Sequence, residues 1–303
     1  MKILMRSTLM GLTATLLVAA PAMLSAQQPF VFFASVVDVS GNLITTLTAD
    51  DVRVVENGAE GKVVKLEPID WPIKLQLLVD NGVGMSDAHV HLRNGLKALL
   101  MAIPEGIEIS LVTTAPQPRM VVRPTMDRQA LMQGVDRIAP DSGGARFVEA
   151  LNEAAGRIDK EKGNYFPVVV IVGTTTAEGS QVLERDVTRM LQRFSDRAAT
   201  VHVVMLNPGG RSAIQVAGAN QTVVGIAVSK VTGGRYEAIA ASTRLTTLLP
   251  EIGAQVAESH DRQSHQYRVT FQRPAGATGT VGDIRMSTRP GMTPTLSING
   301  RMP

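Results

Sequence analysis

The chain contains no cysteine. That excludes a disulfide framework, a thiol nucleophile and a lipid-bearing cysteine behind a leader, so the fold must be held by core packing. Aromatic residues make up only 4%, too few to suggest a platform on which bases or sugar rings stack. Runs of Lys and Arg are also missing. The 30 Lys+Arg face 27 Asp+Glu, and removing Lys2 and Arg6 with a leader leaves 28, a net charge of about +1. Nucleic-acid binding needs a concentrated positive field that displaces counterions, and this sequence lacks one. Beyond the first residues no apolar stretch approaches the ~20 needed to cross a bilayer. Val168–Val172 has the composition of a buried strand.

The N-terminus carries the clearest pattern. Lys2 and Arg6 precede an apolar run from about Leu9 to Ala20, and Ala22-Met23-Leu24-Ser25-Ala26 follows. This is the layout of a secretory signal peptide at 1–26, cleaved after Ala26, and the run is short for a membrane anchor. The expected location is therefore periplasmic or secreted. Taking 26 residues from 303 leaves 277, enough for one substantial domain with appendages.

Residues 27–72 read as a β-rich extension. Val31–Val37 is rich in β-branched and aromatic residues, and Val52–Val55 and Lys62–Leu66 flank Glu56-Asn57-Gly58. Asn-Gly between such runs signals a hairpin, here with a loop expected to exceed two residues. Pro68 and Pro72 around Trp71 mark a boundary. Over 73–260 strands alternate with amphipathic helices. Expected strands are Lys74–Val79, Ile107–Val112, Met120–Val122, Val168–Val172 and Val201–Leu206. Apolar positions at helical spacing (Leu92, Leu96, Leu99, Ile103; Leu245, Leu248, Leu249, Ile252) supply the helices. The alternation predicts an α/β fold with a doubly wound, mostly parallel sheet in three layers. Residues 261–303 return to β character and are expected to pair with the N-terminal strands.

In such sheets ligands bind beyond the carboxyl ends of the strands. The first such end reads Leu77-Leu78-Val79-Asp80-Asn81-Gly82-Val83-Gly84-Met85-Ser86. An aspartate there can hold a cation, orient a nucleotide or cap the next helix. Asp80 to Met85 resembles the Asp-x-Gly-x-Gly box of the gyrase and histidine-kinase ATP fold. The match covers about six residues and lacks that fold's asparagine helix upstream and its glycine-rich lid downstream, so it is set aside.

A wider resemblance is to the von Willebrand factor A-type fold, in particular the exported bacterial "VWFA-related" group. Leu47-Thr48-Ala49-Asp50-Asp51-Val52-Arg53-Val54-Val55-Glu56-Asn57-Gly58 resembles that group's leader motif. Leu78-Val79-Asp80 with Gly84-Met85 resembles its first metal loop, and Ser142 to Leu151 its Gly-Gly-Thr-x-x-x-Asp-Ala-Leu segment. Thr232-Gly233-Gly234-Arg235-Tyr236 and Gln266-Tyr267 resemble its closing elements. The resemblance implies a metal-ion-dependent adhesion site built from an Asp-x-Ser-x-Ser loop, a threonine and a second aspartate. Here the serines are Gly82 and Gly84, the threonine position falls on Ala145, and Gly173-Thr174-Thr175-Thr176 carries no aspartate. The expectation is a degenerate site with no metal and no cofactor. Ser86, Asp87 or the threonines are the oxygens that could rebuild one.

A buried Asp80 would need a positive partner, and Arg146 is the candidate. The candidate binding residues are Asp80, Asn81, Ser86, Asp87, Asp141, Ser142, Arg146, Thr174 and Thr175, on loops 81–87, 141–146 and 174–180. Catalytic constellations are not found. There is no Gly-x-Ser-x-Gly elbow and no His-Glu-x-x-His helix. His89 and His91 point to different sides of a helix, and His202 lies within a strand. Asp50-Asp51 reads as a helix-start turn. The expectation is a non-enzymatic adhesion or assembly module that binds a protein partner without metal. The alternatives are a metal-dependent adhesion domain with a rebuilt Mg/Mn site and an exported enzyme.

Overall fold

Chain order and apolar patterning separate the strands into two six-stranded sheets. The computed structural model describes residues 29–176, 178–209 and 220–301, and the leader expected at 1–26 lies outside them. The central sheet has the order β6-β5-β4-β7-β8-β9. Its strands are β4 (Ile73–Val79), β5 (Glu108–Thr113), β6 (Arg119–Thr125), β7 (Phe166–Thr174), β8 (Thr200–Leu206) and β9 (Tyr236–Ile239). All neighbours are parallel except β5 and β6. The nine residues of β7 are all buried, as an apolar central strand covered on both faces requires.

Helices α1 (His89–Ala102), α2 (Arg128–Asp136) and α6 (Leu245–Ser264) send Leu92, Leu96, Leu131, Leu248 and Ile252 into one core. Helices α3 (Phe147–Lys160), α4 (Glu184–Asp196) and α5 (Asn220–Thr232) cover the other face with Leu151, Phe194 and Val228. The chain grows outward from β4 through β5 and β6, then returns to grow the other way from β7. The reversal opens a crevice between the carboxyl ends of β4 and β7, where α/β sheets bind ligands.

The second sheet is antiparallel, in the order β11-β2-β3-β10-β1-β12. It combines β1 (Phe30–Asp38), β2 (Arg53–Glu56) and β3 (Ala59–Ile69) with β10 (Gln266–Gln272), β11 (Ile284–Ser287) and β12 (Met292–Ser297). Both ends of the chain thus build one side sheet, with as many strands as the central one. Its core includes Phe32, Val36, Val54, Tyr267 and Phe271. Trp71 stands at the junction, its ring 5.5 Å from Phe33 and 5.6 Å from Phe166.

Three local expectations are corrected. The β2–β3 loop is two residues long, because Glu56 pairs with Ala59, and Asn57 and Gly58 both have positive φ (50° and 85°). Asn-Gly suits such a turn; polar Glu60 at the strand start hid the register. Pro68 lies within β3, paired with Tyr267, and does not interrupt it. Helix α6 runs past 260 to Ser264, with β10 starting at Gln266.

Candidate functional site

Asp80 follows β4 directly and is 2% exposed. Its N–H donates to Val172 O at 2.8 Å, which continues the β4–β7 pairing. The carboxylate is then turned into the crevice. Oδ1 accepts from Gly82 N–H at 2.7 Å. Oδ2 accepts from Thr174 N–H at 3.2 Å and from the Thr174 hydroxyl at 2.9 Å. The Thr174 and Thr176 hydroxyls are 2.7 Å apart, and Gln221 of α5 donates to Thr176 O at 2.6 Å. Both carboxylate oxygens are therefore occupied by donors from the chain itself.

Burial pushes the Asp80 carboxyl up from the usual 3.8, against the three hydrogen bonds that pull it down. The folded chain then holds this proton more tightly than the unfolded one. Stability from this group is present below about pH 3.8 and is lost as pH rises through the higher folded value. Asp80→Asn removes the titration, and it also sets an amide against an N–H, since both oxygens accept backbone donors. Wild type is expected to gain on the variant as pH falls from about 7 to about 4 in denaturant melts. A difference independent of pH would refute the assignment.

Arg146 does not pair with Asp80, contrary to expectation. Its Nε donates to Pro116 O at 2.8 Å and its Nη1 to Glu149 at 2.9 Å. Residue 146 immediately precedes α3, so an acid one turn into that helix lies within easier reach than the buried crevice. Asn81 acts as a loop clamp. It accepts from Ala115 N–H at 3.1 Å, donates to Ala139 O at 3.0 Å, and its carbonyl receives Asp141 N–H at 2.7 Å. Asp141 accepts from Gly143 N–H at 2.7 Å. Thr175 donates to Asn207 at 3.1 Å, across the ends of β7 and β8. Ser86, Asp87 and Ser142 are exposed at the rim, outside the hydrogen-bonded set around Asp80.

Two site residues escaped the sequence reading. Gln221 comes from a distant helix. Glu178 forms a parallel bridge with Ala145, accepts from Phe147 N–H at 3.1 Å and from Ser180 N–H at 2.9 Å, and so caps α3. Burial pushes its carboxyl up. Glutamate four residues after a strand end is the signal that was available, but its partners are set by tertiary contact.

Residues 75–175, from β4 to the end of β7, match the family model of the von Willebrand factor type A domain. This part of the chain has a von Willebrand A-type fold. Among solved structures, the chain is similar to a von Willebrand factor type A protein from Catenulispora acidiphila, at 13% identity and a TM-score of 0.52. That match covers 89% of this chain and 72% of the other. It is also similar to the conserved hypothetical protein BatB from Bacteroides thetaiotaomicron, at 12% identity and a TM-score of 0.47, over 62% of this chain and 100% of the other. At such identity the likeness concerns the fold. No curated protein matches the chain. The residues described above lie at the sheet reversal common to doubly wound folds.

Proposed function

We propose that the chain is an exported, non-enzymatic protein–protein interaction module whose divalent-metal site is vestigial. The reading rests on how the chain fills the space around Asp80. A hard cation such as Mg²⁺ needs about six oxygens converging at short range. A Cβ at Gly82 would lie 2.7 Å from Gly143 O and 3.2 Å from Ala145 N, and one at Gly84 would overlap the Thr176 hydroxyl. A serine-bearing loop is crowded, Ala145 offers no hydroxyl, and among the described residues no second carboxylate joins the hydrogen-bonded set around Asp80. These residues do not fit a divalent ion. Among the described residues no three His, Cys, Asp or Glu side chains are grouped to hold one.

The surface left for a partner is the rim. Val83 is 55% exposed, beside Ser86, Asp87 and Ser142. An adjoining depression of about 400 Å³ is lined by Pro116, Gln117, Met120, Arg137 and Asp141. Contact here is direct and needs no bridging cation. Export rests on the leader pattern of Lys2 to Ala26.

Thermal melts in chelator and in millimolar Mg²⁺ or Mn²⁺ are expected to coincide. A site held at 100 times its dissociation constant would add about 2.7 kcal/mol, a shift of several degrees. A saturable rise would replace this reading with metal-dependent adhesion. Partner capture from envelope extract by immobilised protein should persist in chelator and fall for Asp87→Arg. Capture abolished by chelator would count against the proposal.

A further inference from the structure

The opposite end of the central sheet holds a second cavity, of about 320 Å³, between α6, the first residues of β7 and β8, and the C-terminal segment. Nothing in the site around Asp80 uses it. Its lining includes His202, Gln255, Ser259, Gln263 and Arg301, and no carboxylate. Arg301 reaches it from beyond β12. The guanidinium donates to two neutral carbonyls, Ala199 O at 3.1 Å and Val231 O at 3.5 Å, and forms no ion pair among the described residues. Two bonds leave three of five guanidinium N–H donors unspent.

His202 adds a further donor of fixed identity. The residue is 3% exposed, and Nδ1 accepts from Arg235 N–H at 3.2 Å. An accepting Nδ1 puts the ring proton on Nε2. Burial, with the Arg235 guanidinium second, pushes the His202 pKa down to about 4, so the ring stays neutral. A partly buried cation and an N–H donor thus meet at one cavity. A desolvated charge is costly until an opposite charge meets it.

We infer that this cavity binds a small oxyanion, held by Arg301 and His202. Carboxylates and inorganic phosphate share the chemistry.

The test is a titration of the full chain in Tris chloride with acetate, glycolate and inorganic phosphate, followed by amide chemical shifts. Saturable shifts are expected at Gly233, Arg235 and Arg301. Saturation by phosphate alone would support the site and assign it to an inorganic ion. Arg301→Gln should weaken binding about tenfold or more, as loss of a charge-assisted hydrogen bond implies. Ser259→Phe, which fills the cavity and keeps Arg301, should give the same loss if the first variant folds poorly. No saturable response to any probe would overturn the inference. So would binding that both variants leave intact, or shifts confined to other parts of the chain.

Discussion

Replacing Gly82 and Gly84 together with serine lowers the melting temperature by roughly 10 °C, equally in chelator and in Mg²⁺. Extra atoms in a packed site cost about 1–3 kcal/mol each, and a domain of this size loses about 2–4 °C per kcal/mol. The two positions differ in how they can yield. At Gly82 the obstacle is backbone, Gly143 O and Ala145 N, and the loop carrying it is clamped by Asn81. At Gly84 the obstacle is the Thr176 hydroxyl, which can rotate away at the cost of its contact with Thr174. Gly82→Ser alone should therefore cost more than Gly84→Ser alone. The sites are neighbours, so the double effect need not be the sum. A double variant as stable as wild type, or one stabilised by Mg²⁺, would mean the crevice is open after all.

Gly234→Ala is expected to cost about 3 kcal/mol or more, with a drop in melting temperature of similar size. A Cβ there would overlap the Val201 carbonyl and stand 3.2 Å from His202 N. Neither neighbour can retreat, because β8 is paired to β7 on one side and β9 on the other. The turn is pinned as well. Gly234 N–H donates to Ser229 O at 3.0 Å and Val203 N–H to Arg235 O at 2.8 Å. The displaced turn would also lose the Arg235 bond that sets the His202 tautomer. Denaturant melts decide the matter, and a cost under about 1 kcal/mol would show that the backbone relaxes.

The central sheet was legible because its signals are local. The unbroken apolar run of β7 and the stripes of α1 and α6 each announce their burial within a dozen residues. Asp80 was legible for the same reason, as a charged residue ending a buried strand before a glycine loop. The side sheet was harder to read. Strands β11 and β12 are short and partly exposed, and β12 carries Pro294, so their identity comes from pairing with β2 and β1. Arg146 was misassigned because proximity in the family pattern competes with a nearer acid, Glu149. Gln221 and Glu178 act through bonds spanning 45 and 31 residues, and no local pattern encodes such reach.

Among the described strands β1 is the first to be synthesised, yet its two neighbours, β10 and β12, are among the last. Phe33 pairs with Arg268 on one side and Ser297 on the other. The segment FVFFASVVD therefore waits, unpaired and strongly apolar, while more than two hundred residues emerge behind it. Closing so long a loop is slow, and an exposed edge of this composition is prone to wrong pairings in the interval. The side sheet thus makes the emergence of β10 and β12 the step that commits β1. A chain released before β10 would leave that strand sticky.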